Sequence, residues 1–147
     1  MRRVAGFIFL ACITTACTFG LTTDRFTPAR RAEGVRGEIA TAKKQLYGEV
    51  IAVRDDGLII LADNVLRDQG RVIQATKVLR LVPYSEIRTT RFDQMMPPID
   101  ITGGRAPAPK ARERLRLVSR YPQGLTPALL SDLLRAYGQT ALAGIDQ

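Results

Sequence analysis

Histidine is absent from the 147 residues, which removes the usual general base near neutral pH and the commonest metal ligand. Cysteine is scarce: the two present, Cys12 and Cys17, sit at the N-terminal end. From residue 18 onward there is no thiol for a disulfide or a nucleophile, so a core must rest on apolar burial alone. Adjacent acidic residues are reduced to Asp55-Asp56, which turn formation accounts for. Asp63 and Asp68 fall short of the six or more oxygens that a calcium loop assembles. Gly103-Gly104 stands in no phosphate-cradling framework. No catalytic residue, cofactor site or metal site is assigned; the chain is not expected to be an enzyme, nor a small-molecule substrate to be its ligand.

A long apolar run is missing too. Arg2 and Arg3 give a positive start, and Val4 to Ile13 are apolar apart from Gly6. Even with Thr14 to Ala16 added, the stretch is shorter than the roughly 17–25 residues that span a bilayer. A basic start, a short apolar run and small residues read as a secretory signal over residues 1–16. Its end, Thr14-Thr15-Ala16-Cys17, resembles the lipobox of bacterial lipoproteins. That resemblance implies cleavage before Cys17 and acylation of Cys17, hence a membrane partner through a lipid anchor in the bacterial cell envelope. Thr18 follows the cysteine instead of Asp, which in this family leans toward the outer membrane. Cleavage after Ala16 with release, and an uncleaved anchor, are the alternatives. Phe9-Leu10-Ala11-Cys12 would leave too short an apolar run.

The net charge is +8, and its placement says more than its sum. Residues 18–45 carry Arg25, Arg30, Arg31, Arg36, Lys43 and Lys44 against Asp24, Glu33 and Glu38. Residues 105–120 carry six basic side chains against Glu113 alone, whereas residues 46–92 are nearly balanced. The positive excess therefore sits in the flanks. Near an anionic membrane each such residue adds about 1 kcal/mol of attraction; a solvated tether and linker is the equal alternative.

Residues 17–34 read as a lipidated cysteine followed by a polar tether. From Val35 to Leu46 two readings stand. Ala32, Val35, Ile39, Ala42 and Leu46 have helical spacing, yet Gly34 and Gly37 each cost about 1 kcal/mol inside a helix. The rival is a strand through Ile39 and Thr41 into a turn at Ala42-Lys43-Lys44. The clearest local signal is a hairpin, Glu49 to Arg54 and Leu58 to Ala62, joined at Asp55-Asp56-Gly57, with Gly57 expected at positive φ. A two-residue loop there predicts Val53 opposite Ile60 and Ala52 opposite Leu61. Both faces of such strands are apolar, which suits a small bent barrel or a sheet covered by helices. Asn64 to Gly70 reads as a polar loop, Arg71 to Val82 as extended runs, and Pro83-Tyr84-Ser85 as a turn before a short strand ending at Phe92. Arg80, Arg88 and Arg91 are expected at the surface, Tyr47 and Tyr84 as packed rim aromatics.

Gly48-x-Val50, the acidic turn, Leu58-x-x-Leu61 and Val82-Pro83-Tyr84-Ser85-Glu86-Ile87 together resemble a small SH3-like or Sm-like barrel. The resemblance implies the fold of residues 35–92. It does not bring an RNA site, because the Asp-x-x-Met-Asn type of turn and the terminal Arg-Gly are missing. Residues 93–109, with Met95-Met96-Pro97-Pro98 and Gly103 to Pro109, read as an extended linker.

Residues 110–147 read as a helical hairpin, so the expected class is α+β. Ala111, Leu115 and Val118 share one face of its first helix, with a strand at Leu115 to Val118 as rival, and Pro122-Gln123-Gly124 breaks it. Thr126 caps the second helix with Pro127 at its first position. Leu130, Leu133, Leu134 and Tyr137 form an apolar stripe that needs a cover, either the barrel or a partner protein. Two functions follow: an interaction module that docks an envelope protein or cell wall, or a polyanion binder using Arg112, Arg114 and Arg116. The first is expected because the barrel region is near neutral. Lipid head groups, lipopolysaccharide and nucleic acid are the polyanions of that alternative, although nucleic acid is not expected as a partner.

Overall fold

A computed structural model describes residues 30–68 and 71–146. The expected signal segment 1–16, the acylation site at Cys17 and the tether up to residue 29 lie outside the described residues. Five strands come first: β1 (Arg36–Thr41), β2 (Gln45–Val53), β3 (Gly57–Asp68), β4 (Arg71–Pro83) and β5 (Ile87–Phe92), with a 3-10 turn at Tyr84–Glu86 before β5. Helices α1 (Pro109–Val118) and α2 (Pro127–Ala136) follow. The strands form one antiparallel sheet in the order β4-β3-β2-β1-β5. The class is α+β. The sheet is not closed: among the described residues β4 and β5 do not pair.

The ambiguous stretch after Gly34 is strand β1. Ile39 and Thr41 point into the protein, and the Thr41 hydroxyl closes the next turn by donating to the Lys44 carbonyl and accepting the Lys43 and Lys44 N–H groups. Helical spacing lost because the glycines carry a real constraint: a Cβ on Gly37 would meet Phe92 Cα at 2.9 Å on the neighbouring strand.

The β2–β3 hairpin forms, but in another register. Val53 lies opposite Leu58 and Ala52 opposite Ile59; after a bulge at Ile51, Val50 lies opposite Ile60. The two loop residues are Asp55 and Asp56, closed by the Arg54 N–H donating to the Gly57 carbonyl at 2.9 Å. Gly57 is not at positive φ. It is glycine for room, since a Cβ would press on the Val82 carbonyl oxygen and lie 2.9 Å from Pro83 Cα. Residues 64–68, expected as loop, continue β3, and β4 is a single long strand. The paired register runs unbroken from Gly57↔Pro83 to Leu66↔Gln74 and, after one irregularity, ends at Asp68↔Arg71. Polar sequence does not end a ladder whose bonds are backbone to backbone.

The bulge sets Ile51 and Ala52 on the same side of the sheet. Each face then has its own core. One holds Ile39, Val50, Leu58, Ile60, Val82, Ile87 and, from α1, Leu115, with Ala111 and Val118 packed on it. The other holds Ile51, Ala52, Ile59, Leu61, Leu79 and, from α2, Leu134. The helices therefore cover opposite faces and do not form the expected helical hairpin. The turn between them is built as the sequence indicates, with Gly124 at φ 85 donating to the Tyr121 carbonyl at 2.9 Å. Thr126 Oγ1 accepts the Leu129 N–H at 3.2 Å, and Gly138, at φ 68, ends α2.

Residues 93–108, up to the start of α1, hold no helix or strand, yet they are more than a spacer. Ile99 and Ile101 are buried in the first core, and Thr90 Oγ1 accepts the Ile101 N–H at 3.0 Å. The C-terminal segment closes part of the β4 edge. Ala143 bonds Leu79 and Leu81 through the backbone at 3.0 and 3.1 Å, and the Gln139 side chain donates to and accepts from Leu79.

Candidate functional site

The best-built polar arrangement lies where the N-terminal lead joins the sheet. β2 outruns β1 beyond Glu49, leaving the Val50 and Ile51 backbone to pair with other chain. Val50 donates to Val35 and accepts from Arg120, and Ile51 accepts from Tyr121, at 2.8, 3.0 and 2.9 Å. Arg31 donates to the Arg120 carbonyl at 2.9 Å and Val35 to that of Val118 at 2.8 Å. Inside this junction the Glu49 carboxylate, 3% exposed, accepts the Gly34 N–H at 2.6 Å and two bonds from Arg120 at 2.7 and 2.5 Å. Burial opposes the charge on Arg120, but the bonds and charge of Glu49 outweigh it and raise its pKa. Any side chain on Gly34 would strike the Arg120 N–H and the Val50 carbonyl. The lead thus enters through a fitted, fully bonded seam.

Beside the seam is an open groove of about 560 Å³, lined by Arg31, Glu33, Val35, Met95, Met96, Arg114 and Leu117 among others. Met96 is 86% and Leu117 52% exposed. Farther along the sheet surface the Arg36 guanidinium lies 5.0 Å above the Tyr47 ring and pairs with Asp63 at 2.5 Å, while the Tyr47 hydroxyl donates to Asp93 at 2.8 Å.

The residues singled out from sequence are not brought together. Leu134 is buried and Leu130, Leu133 and Tyr137 are partly buried against the second core. The stripe faces the sheet, with Leu134 inside the second core and the other three half-covered by it. Arg112 pairs with Asp55 at 2.9 Å, Arg114 donates to the Pro97 carbonyl at 2.8 Å, and Arg116 bonds both Glu113 oxygens at 2.7 Å and the Pro122 carbonyl. They point three ways and form no single cationic face. The other member of the acidic pair, Asp56, is held by Arg54.

Arg80 is a correction. Expected at the surface, it is 5% exposed and donates to the Gly144 carbonyl at 2.6 Å; burial pushes its pKa down. Arg88 and Arg91 are exposed as expected. Tyr84 is buried, its hydroxyl donating to the Arg54 carbonyl at 3.1 Å, and burial raises its pKa to about 12. Tyr47, by contrast, is exposed.

No group of three or more potential metal ligands gathers among the described residues. No helix among them is long and apolar enough to cross a membrane. Glu49 and Arg120 escaped the sequence reading because a charged residue in an apolar strand run reads as one facing solvent. The residue before Val50-Ile51 being the only acid in that run was the available signal. Comparison with protein-family models finds no match, and comparisons with curated proteins and with solved structures find none either.

Proposed function

We propose that this chain is a lipid-anchored protein of the bacterial cell envelope, acylated at Cys17, whose folded body is a non-catalytic interaction module for another envelope protein or the cell wall. The observation that carries the reading is the path of the lead. An apolar run too short to span a bilayer ends at Ala16-Cys17, and the chain then joins the body through the Arg31, Gly34 and Val35 bonds around the Glu49–Arg120 pair. A tethered body needs its first residues fixed to its core, and these bonds provide that.

The strand order β4-β3-β2-β1-β5, with a 3-10 turn between β4 and β5, supports an SH3-like reading of the body; closure of β4 upon β5 is what that reading adds. The surface that suits a partner is the β3–β4 arm, which runs on past the end of β2 pairing at Ala62. There the outer edge of β4 from Ala75 to Lys77 has no backbone partner among the described residues, the condition for strand addition. Membrane fractionation tests the anchor: the parent chain should need detergent for extraction, and Cys17→Ser should leave it unprocessed or released. A Cys17→Ser chain that matures and stays membrane-bound like the parent would contradict it.

A further inference from the structure

We infer that the face bearing Met96 and Leu117 is a membrane-contact surface that rests on anionic phospholipid head groups. This deepens the anchored reading and relies on it for the orientation of the body, though not for the chemistry of the face.

Tyr47, Met96 and Leu117 are large apolar side chains exposed to solvent. Tyr47 is occupied, with its hydroxyl on Asp93 and its ring under Arg36. Met96 and Leu117 come from different segments yet line one open groove. Cations flank both. Arg114 spends one N–H on the Pro97 carbonyl, beside Met96, and Arg31 spends one on the Leu117 carbonyl at 3.3 Å. Both of these bonds go to carbonyl oxygens and not to a carboxylate. Lys110 lies one helical turn before Arg114 on the same face of α1, and Arg30 precedes Arg31; both are exposed. Against these four cations stand Glu33 and Asp93, the latter held by Tyr47. Two protruding apolar side chains ringed by long cationic ones match an interface of acyl boundary and negative head groups, where the stems lie in apolar surroundings and the charges reach phosphate.

The route of the chain agrees. The lead joins this face at Arg31, which lines the groove, and the 14 steps back to Cys17 span at most about 50 Å. An acylated Cys17 holds this side of the body within reach of the bilayer. A second copy of the chain fits less well, because two side chains fall far short of the roughly 800 Å² per partner that a stable interface buries.

Methionine oxidation reads the contact directly. The mature chain, purified from membranes in detergent, is placed in vesicles of phosphatidylcholine alone or with about a third phosphatidylglycerol. Dilute peroxide is added and sulfoxide at each methionine is followed by mass spectrometry. Free N-acetylmethionine in the same solution is the reference, because Met95 lines the same groove as Met96. On anionic vesicles the ratio of Met96 to reference oxidation should fall about threefold or more relative to detergent, and high salt should restore it. Lys110→Gln with Arg114→Gln should restore it too, with the circular dichroism spectrum unchanged. An equal ratio on both vesicle types and in detergent would overturn the inference, and so would a ratio that falls with protein concentration in detergent alone. Failure of the anchor reads separately. A chain that does not float with phosphatidylcholine vesicles is not acylated, and its Met96 ratio on added anionic vesicles still decides the face.

Discussion

Glu49 and Arg120, 71 residues apart in the chain, meet in a doubly bonded ion pair with Nε–Oε1 at 2.7 Å and Nη2–Oε2 at 2.5 Å. The pair ties the N-terminal lead, the central strand β2 and the segment after α1 into one junction. Removing one partner of a buried pair strands the other charge. Glu49→Leu should therefore destabilise the fold by about 3–5 kcal/mol in urea denaturation. Adding Arg120→Met should recover at least about 1 kcal/mol, because the stranded cation goes with it. A double variant weaker than Glu49→Leu alone would show that the pair is not the unit that matters.

Gly57 and Gly103 separate two reasons for glycine. A Cβ at Gly57 meets the backbone of Val82 and Pro83, whereas Gly103, at φ 64, has nothing within 4 Å of its Cβ position. Gly57→Ala should cost about 2 kcal/mol or more by displacing β4, and Gly103→Ala only about 1 kcal/mol of backbone strain. Denaturation midpoints of the two variants give the order, and the reverse order would refute the steric account.

Leu133 packs on the second core, so Leu133→Asp should act on the fold itself. A charge placed against that core should destabilise by about 2 kcal/mol or more, visible as a lowered melting temperature. A variant of parental stability that had lost only a binding partner would return the stripe to the surface.

Tyr84 gives a pH signature. Its hydroxyl has a pKa of about 12 in the fold against about 10 in an unfolded chain. A raised folded pKa means that its contribution is complete below about pH 10 and is lost as pH climbs through 12. Stability of the parent should fall by up to about 2 kcal/mol across that window on this account. Tyr84→Phe should lose about 1 kcal/mol at neutral pH, through the missing bond to Arg54, and show a shallower fall. Identical alkaline profiles would remove Tyr84 from the explanation.

The elements were legible where local chemistry decides them. Asp55-Asp56-Gly57 announced a hairpin, Pro83 a turn, and Thr126-Pro127 a helix start. The register was not legible, because the bulge at Ile51 is fixed by Val35, Arg120 and Tyr121, residues distant in sequence. The apolar faces of both helices were read correctly from spacing, but spacing carries no record of which side of a sheet a helix will cover. Residues 64–68 looked like loop because their pairing uses backbone, which composition does not reveal. The partners of Glu49 at the seam were not legible for a related reason, since Gly34 and Arg120 lie 15 and 71 residues away.

Acylation of Cys17 is the claim on which the functional account stands, and the intact mass of the mature chain extracted from membranes tests it most directly. The account predicts a chain beginning at Cys17 that carries the added mass of more than one acyl group. A mature chain with an unmodified Cys17, or one cut elsewhere and free of lipid, would contradict it.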